Sequence, residues 1–480
     1  MQRRDLLKLS LGTATAALLS QCTRQLFHTG SVSEVLSQTV SSDGGLLRLN
    51  LEARVESVLL GDRTANALTY NGLAPGPQLE VKPGDTVQIR LVNRLEQPTN
   101  LHFHGLHLPP QVDDVFREVP PGEFYTYEFQ IPANHPAVTA WYHPHYHLNV
   151  ADQVFGGLAG AFIVRGELDE IPEIQQAEEA VMVLQDCSPD SALTMPHTLA
   201  QKWGREGRAL LVNGQAKPVV DLPQNGLLRL RLINASSSRI YRLELREHPW
   251  YLMATDRGAI SEPTALERLI LNPGERVELL LPGQQTPGDY QLWSLPYDRG
   301  ISEVKASMGQ QVENLVGVEL EKEEVLATLR YRSTPRMEPL PLPQRLIPVQ
   351  ALPEPQVTRE FVLDHGLDAD APGAGFIING ESFKMGQVNT HVRLGQTEDW
   401  RIINKASIDH PFHLHTNAFQ VMERNGQPVT LKAWKDVVGI QGYESVTLRV
   451  RFEDFTGRTV YHCHILDHED QGMMGVLEIS

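Results

Sequence analysis

The chain of 480 residues has three cysteines and comparatively few basic residues. Cys22, Cys187 and Cys463 are too few for a disulfide scaffold, and Cys187 is expected to be a small buried hydrophobe. Lysine and arginine number 42 against 59 aspartates and glutamates. The net charge of −17 argues against a nucleic-acid partner, because phosphate binding needs a basic surface. Beyond the N-terminus, no run approaches the roughly 18 apolar residues of a transmembrane helix.

The first 25 residues predict an export signal. Arg3 and Arg4 precede an apolar run from Leu9 to Ser20, which is too short for a stable transmembrane helix. The arginine pair resembles a twin-arginine signal, so we expect the twin-arginine export machinery as a partner and a periplasmic or otherwise exported protein. A cytoplasmic amphipathic helix is the alternative. The segment ending at Cys22 loosely resembles a lipoprotein cleavage box, which makes Cys22 a candidate lipid anchor.

A pattern of an Asn-Gly turn followed by an alternating strand that ends in Asn occurs three times. The turn and the terminal Asn are Asn71-Gly72 and Asn93, then Asn213-Gly214 and Asn234, then Asn379-Gly380 and Asn404. The period of two, as in Leu228–Ile233, predicts half-buried β-strands. The chain is therefore expected to be all-β, with three consecutive antiparallel sandwiches.

The repeats predict domain boundaries. The segments are a signal peptide at 1–25, domains at 45–167, 178–332 and 358–480, and a Pro-rich extended linker at 333–357. Histidine clusters follow the terminal Asn in the first and third copies, whereas the second copy has Ala235 and three serines there. We therefore expect domains one and three to share a site to which domain two contributes no ligand.

Eighteen histidines are present, and many of them lie in four short segments. These segments contain the pairs His102 and His104, His143 and His145, His413 and His415, and His462 and His464. Residues i and i+2 share one face of a strand, so each pair directs two imidazoles the same way. Eight imidazoles are too many for one metal ion and indicate a metal cluster.

Cys463 lies between two of these histidines and points to the opposite face of the same strand. Together with His410, His468 and Met473 it gives two imidazoles, a thiolate and a thioether, the ligand set of a blue-copper site. Zinc is an alternative for the cysteine, but a closed four-ligand zinc site does not explain ten ligands from four segments.

The four segments resemble the copper signatures of the multicopper oxidases, the family of laccases, bilirubin oxidases, ferroxidases and copper-efflux oxidases. The resemblance implies three cupredoxin-like Greek-key domains and four copper ions: one type-1, one type-2 and a type-3 pair. It assigns type-1 copper to His410, Cys463, His468 and axial Met473, and type-2 copper to His102 and His413. It assigns the type-3 coppers to His104, His143 and His464, and to His145, His415 and His462.

Reduction of O2 to water needs protons, so acids are expected near the cluster. Asp113 and Glu469 match positions where the family places proton-relaying acids, with Asp114 and Asp470 as competitors. By the same resemblance, substrate is oxidised near His468 or His410, the type-1 histidines closest to solvent. The nearby carboxylates Asp409, Asp436 and Asp467 are candidates to accept a phenol proton or to hold a cation.

The C-terminal segment 469–474 resembles that of bacterial copper-efflux oxidases, which gather Cu(I) with methionine-rich inserts. This chain has only ten methionines, and they are scattered. Because soft thioethers are what would select Cu(I), their scarcity argues against a cuprous oxidase. The sequence therefore favours a laccase-like oxidation of phenols or similar small reductants coupled to O2 reduction. A cuprous or ferrous oxidase is the alternative within the class. A copper-free cupredoxin-repeat envelope protein and a copper-storage protein are more distant alternatives.

Overall fold

The computed structural model describes residues 38–188, 203–308, 322–332, 338–367 and 374–480. The predicted signal peptide and Cys22 lie outside these residues. The described residues confirm the all-β prediction, because the helices are short: α1 (Val150–Phe155), α2 (Pro172–Gln175), α3 (Ile301–Met308), α4 (Leu466–Asp470) and one 3₁₀ turn (Glu167–Glu170). None of the described helices is long and apolar enough to cross a membrane.

Nine strands form the first pair of sheets. They are β1 (Thr39–Ser41), β2 (Leu46–Leu60), β3 (Arg63–Tyr70), β4 (Gln78–Val81), β5 (Thr86–Asn93), β6 (His102–His104), β7 (Phe124–Gln130), β8 (Val138–His143) and β9 (Gly160–Val164). The strand orders are β1-β4-β9-β8-β6 and β3-β2-β5-β7. The alternating strand β5 buries every second side chain, so its period-two pattern is satisfied by one apolar face.

The second pair of sheets contains eleven strands. They are β10 (Glu178–Cys187), β11 (Ala209–Val212), β12 (Val219–Leu222), β13 (Leu227–Asn234), β14 (Tyr241–Leu245), β15 (Tyr251–Thr255), β16 (Gly258–Ala265), β17 (Leu269–Leu271), β18 (Arg276–Pro282), β19 (Asp289–Leu295) and β20 (Glu324–Tyr331). The strand orders are β11-β10-β13-β18-β15-β16 and β12-β20-β19-β14-β17. A leucine-rich core fills the space between them.

The third pair also contains eleven strands. They are β21 (Val357–Leu367), β22 (Ala374–Ile378), β23 (Thr390–Val392), β24 (Thr397–Asn404), β25 (His410–Leu414), β26 (Phe419–Arg424), β27 (Gln427–Pro428), β28 (Val437–Ile440), β29 (Ser445–Arg451), β30 (Gly457–Cys463) and β31 (Met474–Ile479). The strand orders are β22-β21-β24-β29-β26-β27 and β23-β31-β30-β25-β28. Cys463 and Met473 belong to the core of this pair.

The repeated asparagines explain why the three copies fold alike. Asn71, Asn213 and Asn379 have positive φ angles of 55°, 52° and 55°. The glycine that follows each of them also has a positive φ angle. Each of these side chains accepts a backbone N–H from a neighbouring strand at 2.7 to 2.8 Å. The terminal asparagines are buried, and each carboxamide bonds the loop that follows its strand. The same side-chain amides therefore fix the same turns in each copy.

The second alternating strand differs from its prediction as a half-buried strand. All eight residues of β13 are buried, including Arg229 and Arg231. The reason is that their face of the sheet packs against the first pair of sheets, where Arg231 donates to Thr139 at 2.7 Å. Glu278 pairs with both guanidinium groups, at 2.6 and 2.5 Å, and Asp169 and Glu179 pair with both as well. A polar face that predicts solvent exposure here forms an interdomain ion-pair layer instead.

The described part of the Pro-rich stretch has no strand before β21. Its backbone lies along the second pair of sheets, where the Leu340 N–H donates to the Asn225 carbonyl and the Leu346 N–H to the Ser261 carbonyl. Cys187 is half-buried rather than buried, which corrects its expected environment.

A glycine–tyrosine pairing supports the histidine strands in both outer pairs of sheets. Gly160 lies opposite Tyr142, next to His143, and Gly475 lies opposite Tyr461, next to His462. A Cβ at either glycine would overlap the tyrosine ring. The two tyrosines thus occupy space that only glycine leaves free.

We predict that Gly475→Ala lowers the stability of the third domain by about 1–3 kcal/mol, because the added methyl group displaces the Tyr461 ring. A lower melting temperature of the copper-free protein, followed by circular dichroism, measures the effect. Gly288→Ala is the matched control, since its Cβ would meet only the Thr286 carbonyl oxygen at 4.0 Å. Equal melting temperatures of the two variants would contradict the packing argument.

Candidate metal centre

Two pairs of neighbouring strands carry the histidines to the seam between the first and third pairs of sheets. In the first, His102 on β6 lies opposite His143 at the end of β8. In the third, His413 on β25 lies opposite His462 on β30. All eight paired histidines are at most 2 % exposed. Local strand pairing therefore joins the clusters two by two before the domains meet.

The imidazoles meet across the seam. The His462 Nε2 atom lies 3.2 Å from His145 Nε2 and 3.0 Å from His415 Nε2. The His464 Nε2 atom lies 3.3 Å from His104 Nδ1. His102 stacks on His415 with ring centroids 4.0 Å apart, and His104 stacks on His413 at 3.9 Å. Apart from His415 with His462, each of these pairs joins the first domain to the third.

Hydrogen bonds orient several of these rings so that one nitrogen faces the seam. The Nδ1 atom of His143 bonds the Pro144 carbonyl at 2.9 Å, that of His413 bonds the Asp436 carbonyl at 2.8 Å, and that of His102 bonds the Asp113 carboxylate at 2.8 Å. The Nε2 atoms of these three rings are buried and have no hydrogen-bond partner among the described residues. A ring that donates from one nitrogen presents a lone pair at the other, which suits a metal ion.

Burial is the main reason why the pKa values of these imidazoles fall. It lowers the pKa of His104, His143 and His413 well below the usual value, and repulsion from neighbouring imidazoles lowers it further. His145, His415 and His464 behave alike. Neutral rings can donate lone pairs, and a cation among them would offset the cost of burying unpaired nitrogens.

A second donor set lies on the other face of β30. The Cys463 Sγ atom lies 3.4 Å from His410 Nδ1 and 3.7 Å from His468 Nδ1, and these two nitrogens are 3.2 Å apart. Met473 is fully buried in the same core, and its carbonyl accepts the Cys463 N–H at 3.0 Å. Burial raises the pKa of the Cys463 thiol, so ligation by a cation is what would deprotonate it.

The two sites share one strand. Cys463 faces the second donor set, whereas its neighbours His462 and His464 face the seam. Alternation of side chains along β30 therefore connects the two sets through a few covalent bonds.

Asp113 and Glu469 both contact seam histidines. Asp113 lies 2.8 Å from His102 Nδ1 and 3.6 Å from His415 Nδ1. Burial opposes ionisation of Asp113, but the charge and hydrogen bonds of these two rings more than offset it and hold its pKa below the usual range. The Glu469 carboxylate is fully buried, 3.1 Å from His462 Nδ1 and 3.5 Å from His145 Nε2.

The competing acids have other partners. Asp114 lies 3.1 Å from Arg117, and Asp470 accepts the Ala151 N–H of α1 at 2.9 Å. Burial raises the pKa of Asp470 well above its usual value, and the charge of Glu469 adds to the shift. Between the paired candidates, Asp113 and Glu469 are those that contact the seam.

The expected substrate-side role of Asp436 is wrong. Its carboxylate is 1 % exposed and lies at the seam, 3.3 Å from His104 Nε2, because Arg276 of the second domain holds it there at 2.6 and 2.8 Å. Asp409 and Asp467 are also buried rather than open to substrate. Asp409 accepts the Tyr297 hydroxyl proton at 2.6 Å, and Asp467 is bound by Arg205 at 2.7 Å.

His410 and His468, near which the resemblance places substrate oxidation, are both 0 % exposed. Phe376 stacks on His468 with ring centroids 3.9 Å apart. The backbone at Trp203 and Gly204 covers the site from the second domain, and a Cβ at Gly204 would lie 2.8 Å from Ile465 Cγ2. Arg299 holds this segment by donating to both carbonyls.

Sequence reasoning did not find Arg276, Arg299 or Phe376. The two arginines lie in the ligand-free second copy, where no histidine motif drew attention to them. Their positions depend on how the domains pack, which a repeat pattern does not specify.

Three multicopper oxidase family models match the chain, over residues 53–169, 178–312 and 353–480. A multicopper oxidase from Staphylococcus haemolyticus is 28 % identical over 87 % of this chain and 84 % of that protein. The cell division protein FtsP of Photorhabdus laumondii is 29 % identical over 85 % and 84 %.

A solved structure of a Campylobacter jejuni multicopper oxidase, described as a metallo-oxidase, superimposes with a TM-score of 0.80 and 31 % identity over 92 % of this chain and 94 % of that one. The fold is accordingly the three-domain cupredoxin fold that the sequence predicts. Family models, relatives and architecture lead to one conclusion: the chain belongs to the multicopper oxidase family.

Proposed function

We propose that this protein is a copper-dependent oxidase that takes single electrons from phenols or similar small reductants and reduces O2 to water. The observation that carries the proposal is the convergence of eight buried histidines at one interdomain seam, joined through β30 to a second set of two histidines and a cysteine. Multicopper oxidases bind copper, and the unpartnered buried nitrogens at the seam fit a cationic guest.

We propose four copper ions in these donor sets. The type-1 ion would be held by His410, Cys463, His468 and Met473, and the type-2 ion by His102 and His413. The type-3 ions would be held by His104, His143 and His464, and by His145, His415 and His462. Bound copper would supply one-electron transfer and the reduction of O2.

The acids at the seam would handle the protons of this reaction. Glu469 is sealed from solvent beside His145 and His462, so a proton it holds can pass only to neighbouring groups. Asp113 accepts from His102 and lies beside His415, which keeps these rings oriented and keeps an anionic acceptor at the seam.

Arg276 and Asp436 would position ligands of two different ions. The Asp436 carboxylate lies beside His104, while its carbonyl accepts the Nδ1 proton of His413. Arg276 fixes that carboxylate from the second domain, and Gly274, two residues earlier, leaves room for the His464 ring, which a Cβ would approach to 2.7 Å. The domain without ligands thus orients ligands that belong to the other two.

A cuprous or ferrous oxidase is the second candidate, and the burial of His410 and His468 favours it. A bulky phenol cannot touch either ring through Phe376 and the Trp203–Gly204 backbone in this conformation, whereas a metal ion at the surface needs only an electron path. The description of the Campylobacter jejuni relative as a metallo-oxidase agrees with this candidate. The scarcity of methionine remains the argument against a dedicated Cu(I) site.

The FtsP relatives raise a non-enzymatic alternative in cell division. Retention of all twelve proposed ligands in this chain argues against a copper-free protein. The Arg3-Arg4 pair supports export by the twin-arginine machinery, so we propose that the protein works outside the cytoplasm, with Cys22 as a candidate lipid attachment site.

We predict that Cys463→Ser abolishes the blue colour of the copper-loaded protein and stops substrate-driven O2 uptake, because the thiolate is lost from the type-1 set. Copper at the seam should remain, and metal analysis measures it. Cys187→Ser is the matched control and should keep both colour and turnover, since that half-buried thiol lies in neither donor set. Turnover by Cys463→Ser would overturn the proposed electron route.

Arg276→Gln should reduce the copper retained at the seam after dialysis against a chelator while the blue colour persists. The change leaves the Asp436 carboxylate buried without the Arg276 cation, which costs about 3–5 kcal/mol. We expect Asp436 to shift as a result, and the rings of His104 and His413, which it contacts, to lose their orientation. Arg231→Gln removes an equally buried guanidinium whose partners are Thr139 and carboxylates rather than proposed ligands, and it is the control. Equal copper loss in both variants would assign Arg276 to general stability alone.

Substrate choice is tested by O2 uptake with a phenol, Cu(I) and Fe(II) under matched conditions. The laccase-like proposal expects the phenol to be oxidised at a rate at least comparable with the two ions. A preference of about tenfold or more for either ion establishes the metal-oxidase candidate instead. The absence of O2 uptake with all three, in a chain that binds no copper, would favour the non-enzymatic alternative.

A further inference from the structure

A cavity of about 660 Å³ opens where the three domains meet, apart from both donor sets. The first domain contributes His107 and Leu168, the second Arg257, the third Trp434, and the linker Ile347 and Leu352. This volume lies within the range of about 300–1,000 Å³ that is usual for small-molecule sites, which often lie between domains.

Arg257 is the unusual group in this cavity. Its side chain is 6 % exposed, and one of its nitrogens donates to the Thr416 carbonyl at 3.2 Å. Among the described residues, the only carboxylate within 4 Å of its guanidinium is Asp436, at 3.9 Å. That carboxylate already receives two hydrogen bonds from Arg276. The Arg257 charge is therefore buried with little compensation.

Other buried arginines show what full compensation does. Burial alone would lower the pKa of Arg276 and of Arg205, but their carboxylate partners more than offset it and raise both values. For Arg257, burial lowers the pKa to about 10, and the charges of Asp436 and Asp256 offset only part of the effect. The guanidinium stays charged at neutral pH. An anion bound in the cavity would therefore offset the free-energy cost of burying this charge.

Two other groups at the cavity, the His107 ring and the Arg451 guanidinium, already have partners. Neither ring nitrogen of His107 is open to a ligand, because one faces the Thr416 carbonyl at 2.9 Å and the other faces Asp454 at 3.0 Å. Arg451 at the rim pairs with Glu453. The side chains of Leu168, Ile347 and Leu352 supply apolar wall. Among the described residues that line the cavity, Arg257 is a buried cation with no carboxylate closer than 3.9 Å. This cation and the apolar walls suit a singly charged anion with an apolar body, whereas a dianion would leave a charge uncompensated beside Asp436.

We propose that this cavity is a binding site for a small aromatic or otherwise apolar carboxylate, whose carboxylate pairs with Arg257 and whose body lies against the linker and Trp434. The site is separate from the copper ligands and does not depend on the proposed oxidase activity. It also gives the Pro-rich linker a role beyond joining two domains, since the linker backbone is held there by bonds to Ser261.

Isothermal titration of the copper-loaded protein with benzoate, and with the neutral isostere benzamide, tests the proposal. We expect saturable benzoate binding, at least about tenfold weaker binding of benzamide, and no change in the blue absorbance. Equal binding of the two probes would overturn the role of the charge. An absorbance change that saturates with benzoate would place the probe on copper and would also overturn it.

Variants locate the site. Arg257→Gln should weaken benzoate binding at least about tenfold, and Arg257→Lys should recover part of the loss. Arg451→Gln is the matched control at the rim and should bind benzoate within about twofold of the unaltered protein. Unchanged benzoate binding by Arg257→Gln, or an equal loss in Arg451→Gln, would contradict the assignment.

A second variant covers the case in which loss of a buried arginine disturbs folding, as shown by a lower melting temperature or copper content. Gln350 has an exposed side chain at the cavity, so Gln350→Trp can narrow the opening without touching Arg257. It should weaken benzoate binding by at least about threefold. Unchanged binding in a folded Gln350→Trp protein would show that benzoate does not occupy this cavity.

Discussion

Eight imidazoles buried together at one interdomain seam are the constraint on which the rest of the structure depends. Burial removes their solvation, and protonation of any one ring would place a charge among the others. Ring nitrogens that face one another, as the Nε2 atoms of His145, His415 and His462 do, are stable only with a cation or a shared proton between them. A metal cluster at the seam would therefore stabilise the interface between domains one and three.

The second domain answers the electrostatic demands of this seam without supplying a ligand. Arg276 reaches past the backbone to neutralise Asp436 beside His104, and Arg299 and Arg205 hold the segment that covers His468. Buried ion pairs of this kind are weak sources of stability, but they fix geometry, because an unpaired partner would be costly. The second domain, which has no ligands, therefore brings cationic side chains to a site made of neutral and anionic groups.

Much of this arrangement could be predicted from the sequence. The Asn-Gly turns and terminal asparagines predict three copies of one unit, since their side chains bond the same backbone positions in each. The spacing of two residues within each histidine pair predicts shared faces along a strand, and it places Cys463 on the opposite face. These features are local, because they depend on the geometry of single strands and turns.

What the sequence did not predict depends on contacts between distant segments. Asp436 looked like a surface carboxylate near the substrate, because only the folded second domain brings Arg276 to it, 160 residues away in the chain. The burial of His468 likewise depends on Gly204 and Phe376, which belong to different domains. An alternating pattern of polar residues, as in β13, cannot distinguish a face exposed to water from one that hydrogen-bonds another domain, as Arg231 does with Thr139. The charges most decisive for this site, Arg276 and Asp436 among them, are therefore those whose partners are fixed only when the domains pack.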